Sequence, residues 1–330
     1  MKRLVLCLVL IFTICMAVVV EGAGSSVMIY SSMKDSQLAA LKEAFTKKYP
    51  DIKLDYYSAG TGKVMTKIAT EQQAGGVSAD VVWVGEPTNY VEFKQQGILL
   101  KYKSPEAKTI DKLLKDKDDY YCSARLVALG FVYNTNLVKG NDIPKKWADI
   151  TKPRFKGVAC MTDPSFSGTT LYTVAGLVQN SKKFGWDYLN KLKANNLKLV
   201  KGSSDVINKT AVGEYDCGIG ADYIAKTAIV QGSPVGFVYP EDGIPVVASP
   251  IGIVKNSKNI AAAKKLYDYI LSLEGQKVLM DNDLTPVRPE IKIPGLSIEE
   301  MMKRAIPVDD EILIKEKDSM INKFDSIFKK

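Results

Sequence analysis

The chain predicts an α/β protein of two lobes, each a mainly parallel sheet flanked by helices, joined by two crossover strands. Three observations carry this expectation. The first hundred residues alternate strand and helix patterns. The alternation gives way to a long extended stretch and restarts beyond residue 156. A second apolar extended run then precedes an end that is helical throughout.

The elements follow in order. Residues 27–30 have the pattern of a buried strand. Leu38, Leu41, Phe45 and Tyr49 recur at helical spacing until Pro50 stops that helix. Residues 52–56 alternate as a strand does, and a Gly-rich loop at 58–62 opens a helix with Val64, Ile68 and Gln72 along one side. Residues 79–84 make a third strand, apolar on both faces. This β-α-β-α-β order implies a parallel sheet covered by helices on both sides. An extended stretch spans 123–135, followed by a Pro- and Lys-rich connector at 143–156. Strands are then expected at 158–161, 197–200, 216–221 and 235–239, alternating with helices at 168–178, 184–192, 205–212 and 223–231. A second extended run at 246–254 precedes a helix at 260–273, with Ala263, Leu266, Tyr267 and Ile270 on one face. A last helix at 314–328 carries Ile321, Phe324 and Phe328. Residues 25–125 and 254–330 are accordingly assigned to one lobe and 136–245 to the other, with hinges at 126–135 and 246–253. Ligands of open α/β sheets sit beyond the carboxyl ends of the strands, so the site is expected in the cleft between the lobes.

The N-terminus has the layout of a secretory signal peptide over residues 1–24: Lys2 and Arg3, an apolar stretch from 4 to 20, then small residues Gly22, Ala23 and Gly24. A retained membrane anchor is one alternative. Acylation at Cys15 is another, although Ile14 is bulky for that motif. The expectation is an exported, periplasmic protein. Loss of Lys2, Arg3 and Glu21 takes the net charge from +8 to +7. A mild excess of scattered lysines suits an anionic ligand and does not make a nucleic-acid surface. Cys122, Cys160 and Cys217 remain, an odd number without metal-ligand spacing, and are expected as buried packing residues. With no histidine in the chain, Ser-His-Asp and Cys-His catalysis and most zinc chemistry are excluded. No nucleophile motif replaces them, so the expectation is a binding protein and not an enzyme.

Candidate ligand contacts lie where strands turn into helices. Ser167, Gly168 and Thr169 open a helix, and free N–H groups with hydroxyls at such a terminus attract anions; the plain alternative is that Ser167 only caps the helix. Gly60, Thr61 and Gly62 offer the same arrangement, or a simple βα turn. Ser31 and Ser32 stand at the tip of the first strand, facing the crevice. Arg125 and Arg288 stand out in a Lys-rich chain, because a planar guanidinium matches phosphate and carboxylate; a structural ion pair is the alternative for each.

Several fragments together resemble a known group. They are Tyr30-Ser31-Ser32, Lys47-Lys48-Tyr49-Pro50-Asp51-Ile52, Ser58-Ala59-Gly60-Thr61-Gly62, Ser78-Ala79-Asp80-Val81-Val82-Trp83, Val132-Tyr133-Asn134-Thr135-Asn136, Trp147-Ala148-Asp149-Ile150-Thr151-Lys152-Pro153, Asp163-Pro164-Ser165-Phe166-Ser167-Gly168-Thr169, Gly213-Glu214-Tyr215, Val238-Tyr239-Pro240-Glu241-Asp242-Gly243 and Pro286-Val287-Arg288-Pro289-Glu290. Their order over nearly the whole mature chain is similar to that of periplasmic solute-binding proteins of ABC importers. The relevant branch holds ferric-ion-, phosphonate- and phosphosugar-binding members. The resemblance implies a two-lobed, two-crossover periplasmic binding protein that acts as a monomer and delivers a small anionic solute to a membrane ABC permease. A phosphosugar, organophosphate or phosphonate is the favoured solute, with no cofactor. Asp222 and Tyr223, at the end of a strand, join the ligand set; the alternative for Tyr223 is a rim aromatic. Ferric relatives carry two consecutive tyrosines at that place, and here the second is Ile224. They carry a histidine after the first strand, where this chain has Lys34 or a neighbour. The alternative cargo is Fe(III) with a synergistic anion, held by Tyr223 and by Glu86, which lies one residue from the ferric carboxylate position.

Overall fold

A computed structural model describes residues 25–293 and 296–329. The expected leader, with Cys15, lies outside the described residues. β1 (Ser25–Ser31) lies between β2 (Ile52–Ser58) and β3 (Val81–Trp83) and runs parallel to both. Parallel neighbours need long crossovers, and α1 (Asp35–Lys48) and α2 (Thr61–Gln73) provide them. The helical spacing of Leu38, Leu41 and Phe45 places all three in the core, each burial worth about 1.5–3 kcal/mol. Asp35 in the first turn and Lys47 and Lys48 in the last complement the helix dipole. α3 (Thr88–Gln95) follows β3 without an apolar period to announce it, because its buried face is Thr88, Asn89, Tyr90 and Phe93.

The first extended stretch is a single strand, β4 (Tyr121–Asn134), and the second is β9 (Val246–Ile253). β9 pairs with β3 and, along residues 121–128, with β4; beyond residue 128, β4 pairs with β7 (Cys217–Ala221) and β8 (Val235–Val238). One curled sheet therefore runs β2-β1-β3-β9-β4-β7-β5-β6, with β5 (Ala159–Thr162) parallel to β6 (Lys198–Val200) and β7. β4 and β9 join the two parallel triplets, and burial on both faces explains their continuous apolar sequences. At Gly130 a Cβ would fall 2.4 Å from the Val238 carbonyl oxygen, so no side chain fits where β8 meets β4.

The second lobe carries α4 (Gly168–Gln179), α5 (Gly185–Ala194), α6 (Ser203–Ala211) and α7 (Asp222–Val230). The expected helix at 260–273 is two: α8 (Ile260–Leu271), packed on β1 and β9, and α9 (Leu273–Asp281), packed on α1. Ser272 separates them in an extended conformation, its hydroxyl accepting the Gly275 N–H at 3.1 Å as the cap of α9. After α10 (Ile298–Lys303), α11 (Asp310–Phe328) starts four residues before the apolar pattern, because Asp309 caps it by accepting the Ile312 N–H at 3.1 Å. α11 packs on α4 and α5 of the second lobe as well as on α3 of the first, whereas the sequence expectation put residues 254–330 wholly with the first.

Cys122, Cys160 and Cys217 are buried free thiols. Cys160 pairs in register with Gly218 and Cys217 with Ala159, so the two neighbouring thiols project to opposite faces of the sheet. Burial pushes the Cys122 and Cys160 thiols up to about 12. These three thiols should resist alkylation at pH 8 in the native protein and react together in denaturant, as peptide mapping by mass spectrometry would record. Rapid native labelling of any of them would contradict this packing.

Candidate functional site

Three helices begin along the seam where the lobes meet. Ser167 caps α4 by accepting the Thr170 N–H at 3.3 Å, which realises its plain role, but its hydroxyl also lies 3.0 Å from Thr169 Oγ1 and 3.2 Å from Ser203 Oγ. Ser203 opens α6, so two helix N-termini share one chain of hydroxyls. The start of α2 approaches from the other lobe. A Cβ on Gly60 or Gly62 would lie 3.6 Å from the carbonyl oxygens of Phe166 and Ser165 respectively. Gly168 comes closer: a Cβ there would stand 2.9 Å from Glu86 Cβ and 3.3 Å from Thr61 Cγ2. At Gly85 it would stand 3.2 Å from Thr169 Cγ2 and 3.7 Å from Ser32 Oγ. The lobes are thus closed upon each other, with glycines at the contact points.

Arg125 lies beside Trp83 and Tyr223. Ala124 is the extra residue of a β-bulge in β4, where pairing with β9 shifts between Ser123 and Arg125; such a bulge re-aims the side chain beside it. Gln276 fixes the bulge, its Nε2 donating to the Ala124 carbonyl at 2.7 Å. Arg125 is 2 % exposed. Its Nε contacts Ser249 Oγ at 3.5 Å, its guanidinium lies 5.1 Å from the centre of the Tyr223 ring and 5.9 Å from that of Trp83, and its Nη1 is buried without a hydrogen-bond partner. Burial lowers its pKa, opposed by the Tyr223 phenol and, more weakly, by the Asp222 carboxylate. No carboxylate forms an ion pair with it within 4.0 Å among the described residues. Lys34 reaches the same Tyr223 ring from the first lobe, 6.0 Å from its centre, and burial lowers its pKa against the pull of Asp283.

Not every candidate belongs to this group. The Ser31 hydroxyl is fully buried and committed, donating to the Trp83 carbonyl at 2.8 Å and accepting the Met33 N–H at 3.1 Å. Ser32 Oγ accepts the Gly85 N–H at 3.0 Å beside Thr169. Asp222 is a junction: its carboxylate accepts the Ala128 and Tyr223 N–H groups at 3.2 and 2.9 Å, the Tyr239 hydroxyl at 3.0 Å, and longer contacts from Thr285 and Lys226. That ties β4 to the start of α7 and sets Tyr223 against Arg125. Arg288 stands apart in a structural ion pair, 2.9 Å from Glu290 Oε1 and 3.1 Å from Glu106 Oε2, with Nη1 also donating to the Leu271 carbonyl. Glu86 Oε1 accepts from Thr88 at 2.7 Å and from Lys317 at 2.6 Å. Among the described residues no group of three or more His, Cys, Asp and Glu is placed to hold a metal ion. Ser203 escaped the sequence reading although Gly202-Ser203-Ser204 after β6 repeats the strand, Gly/Ser, helix signal of residues 167–169.

The likeness to known proteins agrees with this architecture. The family model of bacterial extracellular solute-binding proteins matches residues 78–310. A putative 2-aminoethylphosphonate-binding periplasmic protein of Salmonella typhimurium is 26% identical over 276 residues, which is 78% of each chain. The periplasmic binding protein AfuA from Actinobacillus pleuropneumoniae, solved with fructose-6-phosphate bound, superimposes with a TM-score of 0.81 at 26% identity, covering 92% of this chain and 99% of its own. Iron-bound HitA from Pseudomonas aeruginosa shares the fold, with a TM-score of 0.79 at 20% identity over 91% of this chain and 99% of its own. No helix among the described residues is long and apolar enough to cross a membrane. With two closed lobes, two joining strands and this match over most of its length, the chain belongs to the bacterial extracellular solute-binding proteins, the solute-capturing components of ABC importers.

Proposed function

We propose that the protein captures a small anionic solute bearing a phosphate or phosphonate group in the closed cleft and delivers it to an ABC permease. The observation that carries this reading is Arg125: a buried guanidinium with an unpartnered Nη1, beside Tyr223 at the start of α7. A buried cation costs several kcal/mol unless an anion compensates it. An anionic solute supplies that compensation, while the hydroxyls of Thr169, Ser167 and Ser203 supply donors from one side. Hinge motion then belongs to β4 and β9, within 126–135 and 246–253, since these strands join the lobes. The ligands named for AfuA and the Salmonella protein are of this chemical class.

The surroundings of Tyr223 favour an anion over Fe(III). Two cations, Lys34 and Arg125, flank the one phenol expected to ligate iron, and Glu86 is already neutralised by Lys317. Fe(III) would have these two cations beside the phenol. The expected result is that Thr169→Ala weakens binding by about 1–3 kcal/mol, the cost of losing a hydrogen bond to a charged group, and that Tyr223→Phe weakens it less. Isothermal titration with fructose 6-phosphate, 2-aminoethylphosphonate and ferric citrate tests this order. Coloured iron binding that vanishes in Tyr223→Phe, with no response to either phospho compound, would reverse the assignment.

A further inference from the structure

We propose that α11 is a strap carried by the second lobe, and that Lys317 on it latches the cleft shut by gripping Glu86 of the first lobe. The contacts are lopsided. On the second lobe, Asp309 just before the helix exchanges two hydrogen bonds with the Gln179 side chain, at 3.1 and 2.6 Å. Lys323 stands over the Trp186 ring, 4.6 Å from its centre, and Lys329 pairs with Asp163 at 2.8 Å. Towards the first lobe α11 packs on α3, and among the described residues its polar reach is one side chain: Lys317 Nζ donates to Glu86 Oε1 at 2.6 Å and to Asn89 Oδ1 at 3.3 Å. When the lobes part, the better-anchored side keeps the helix and the Lys317–Glu86 pair must break.

The position of Glu86 makes that pair sensitive to closure. Its side chain is 4% exposed, that of Lys317 24%, and its Cβ lies against Gly168 where the lobes touch. Exposed ion pairs contribute little, but a pair shielded in this way is made and desolvated only on closing. Glu86 and Lys317 are not among the hydroxyls or the guanidinium proposed to hold the phosphate, so the latch acts on the open–closed equilibrium of the ligand-free protein.

Distance measurement between spin labels on exposed Gln95→Cys and Lys191→Cys, in ligand-free protein, tests the latch without a ligand. The buried native thiols do not compete for the label. Wild type should show a closed population, and Lys317→Met should lower the closed-to-open ratio roughly five- to thirtyfold. Glu86→Gln combined with Lys317→Met, which leaves no lone charge, should be less open than Lys317→Met but still more open than wild type. Lys323→Met, on the same helix but facing the second lobe, should match wild type. The proposal is overturned by a wild type without a closed population or by an unchanged distribution in Lys317→Met. It is equally overturned by a double variant as closed as wild type, or by Lys323→Met opening as far as Lys317→Met.

Discussion

Replacing Arg125 by Met should nearly abolish solute binding while leaving the fold as stable as before or more so. The two halves of that result have one cause. On the proposed reading the guanidinium is the buried partner of the solute's anion, and truncating one partner of such a pair costs about 2–5 kcal/mol, roughly a thirtyfold to several-thousandfold loss of affinity. In the ligand-free protein Arg125 is a buried charge without a carboxylate partner, so an apolar side chain of similar volume removes a desolvation penalty. Titration with fructose 6-phosphate and 2-aminoethylphosphonate, beside thermal melts of the free protein, reads both halves. Affinity within threefold of wild type would remove Arg125 from the site. Affinity lost together with tens of degrees of thermal stability would make it a structural residue. Arg125→Lys should recover only part of the binding, because the ammonium keeps the charge without the planar fork.

Gly168→Val should weaken binding by faster release and leave the folded lobes intact. Residue 168 opens α4, and a Cβ there meets Glu86 Cβ at 2.9 Å. Cβ atoms cannot swing aside, so the lobes must stand apart by several tenths of an ångström or more. Overpacking of this kind costs about 1–3 kcal/mol, here paid only on closing, which corresponds to roughly a five- to 150-fold weaker complex. The helix itself does not need a glycine at this position, since Gly168 does not adopt a positive φ. Gly85→Ala provides the graded comparison: its Cβ would meet Thr169 Cγ2 at 3.2 Å, a methyl that a rotamer change can move, so its effect should be smaller. Stopped-flow dissociation of the same two compounds measures the order. A Gly168→Val protein with wild-type release, or a Gly85→Ala protein that releases faster than it, would contradict the closed contact as the seat of affinity.

Much of the framework is legible in the local sequence. The spacing of Leu38, Leu41 and Phe45 marks a buried helix face, and the apolar runs at 123–135 and 246–254 appear as β4 and β9. These signals are local because helix and strand periods are set by backbone geometry and need no distant partner. α3 was not legible, since half of its buried face is polar. The break at Ser272 was missed because the apolar period continues across it while the cap interrupts the backbone.

The candidate site divides along the same line. Sequence by itself determined the residue types at each strand-to-helix turn, including the donors of residues 60–62 and 167–169, and the lack of any histidine. Which of these face one another was decided by the tertiary structure. Arg125 and Arg288 are equivalent as letters in a chain, yet one follows a bulge and lies against Tyr223 while Glu106 and Glu290 hold the other in an ion pair. Asp222 and Tyr223 are adjacent, yet the carboxylate is spent on β4, α7 and Tyr239 while the ring is left between two cations. The Glu86–Lys317 pair joins residues 231 positions apart. Charge and hydrogen-bond capacity belong to the residue, but their partners lie across the fold, and in a low-dielectric interior the partner decides whether a charge holds the structure or awaits a ligand.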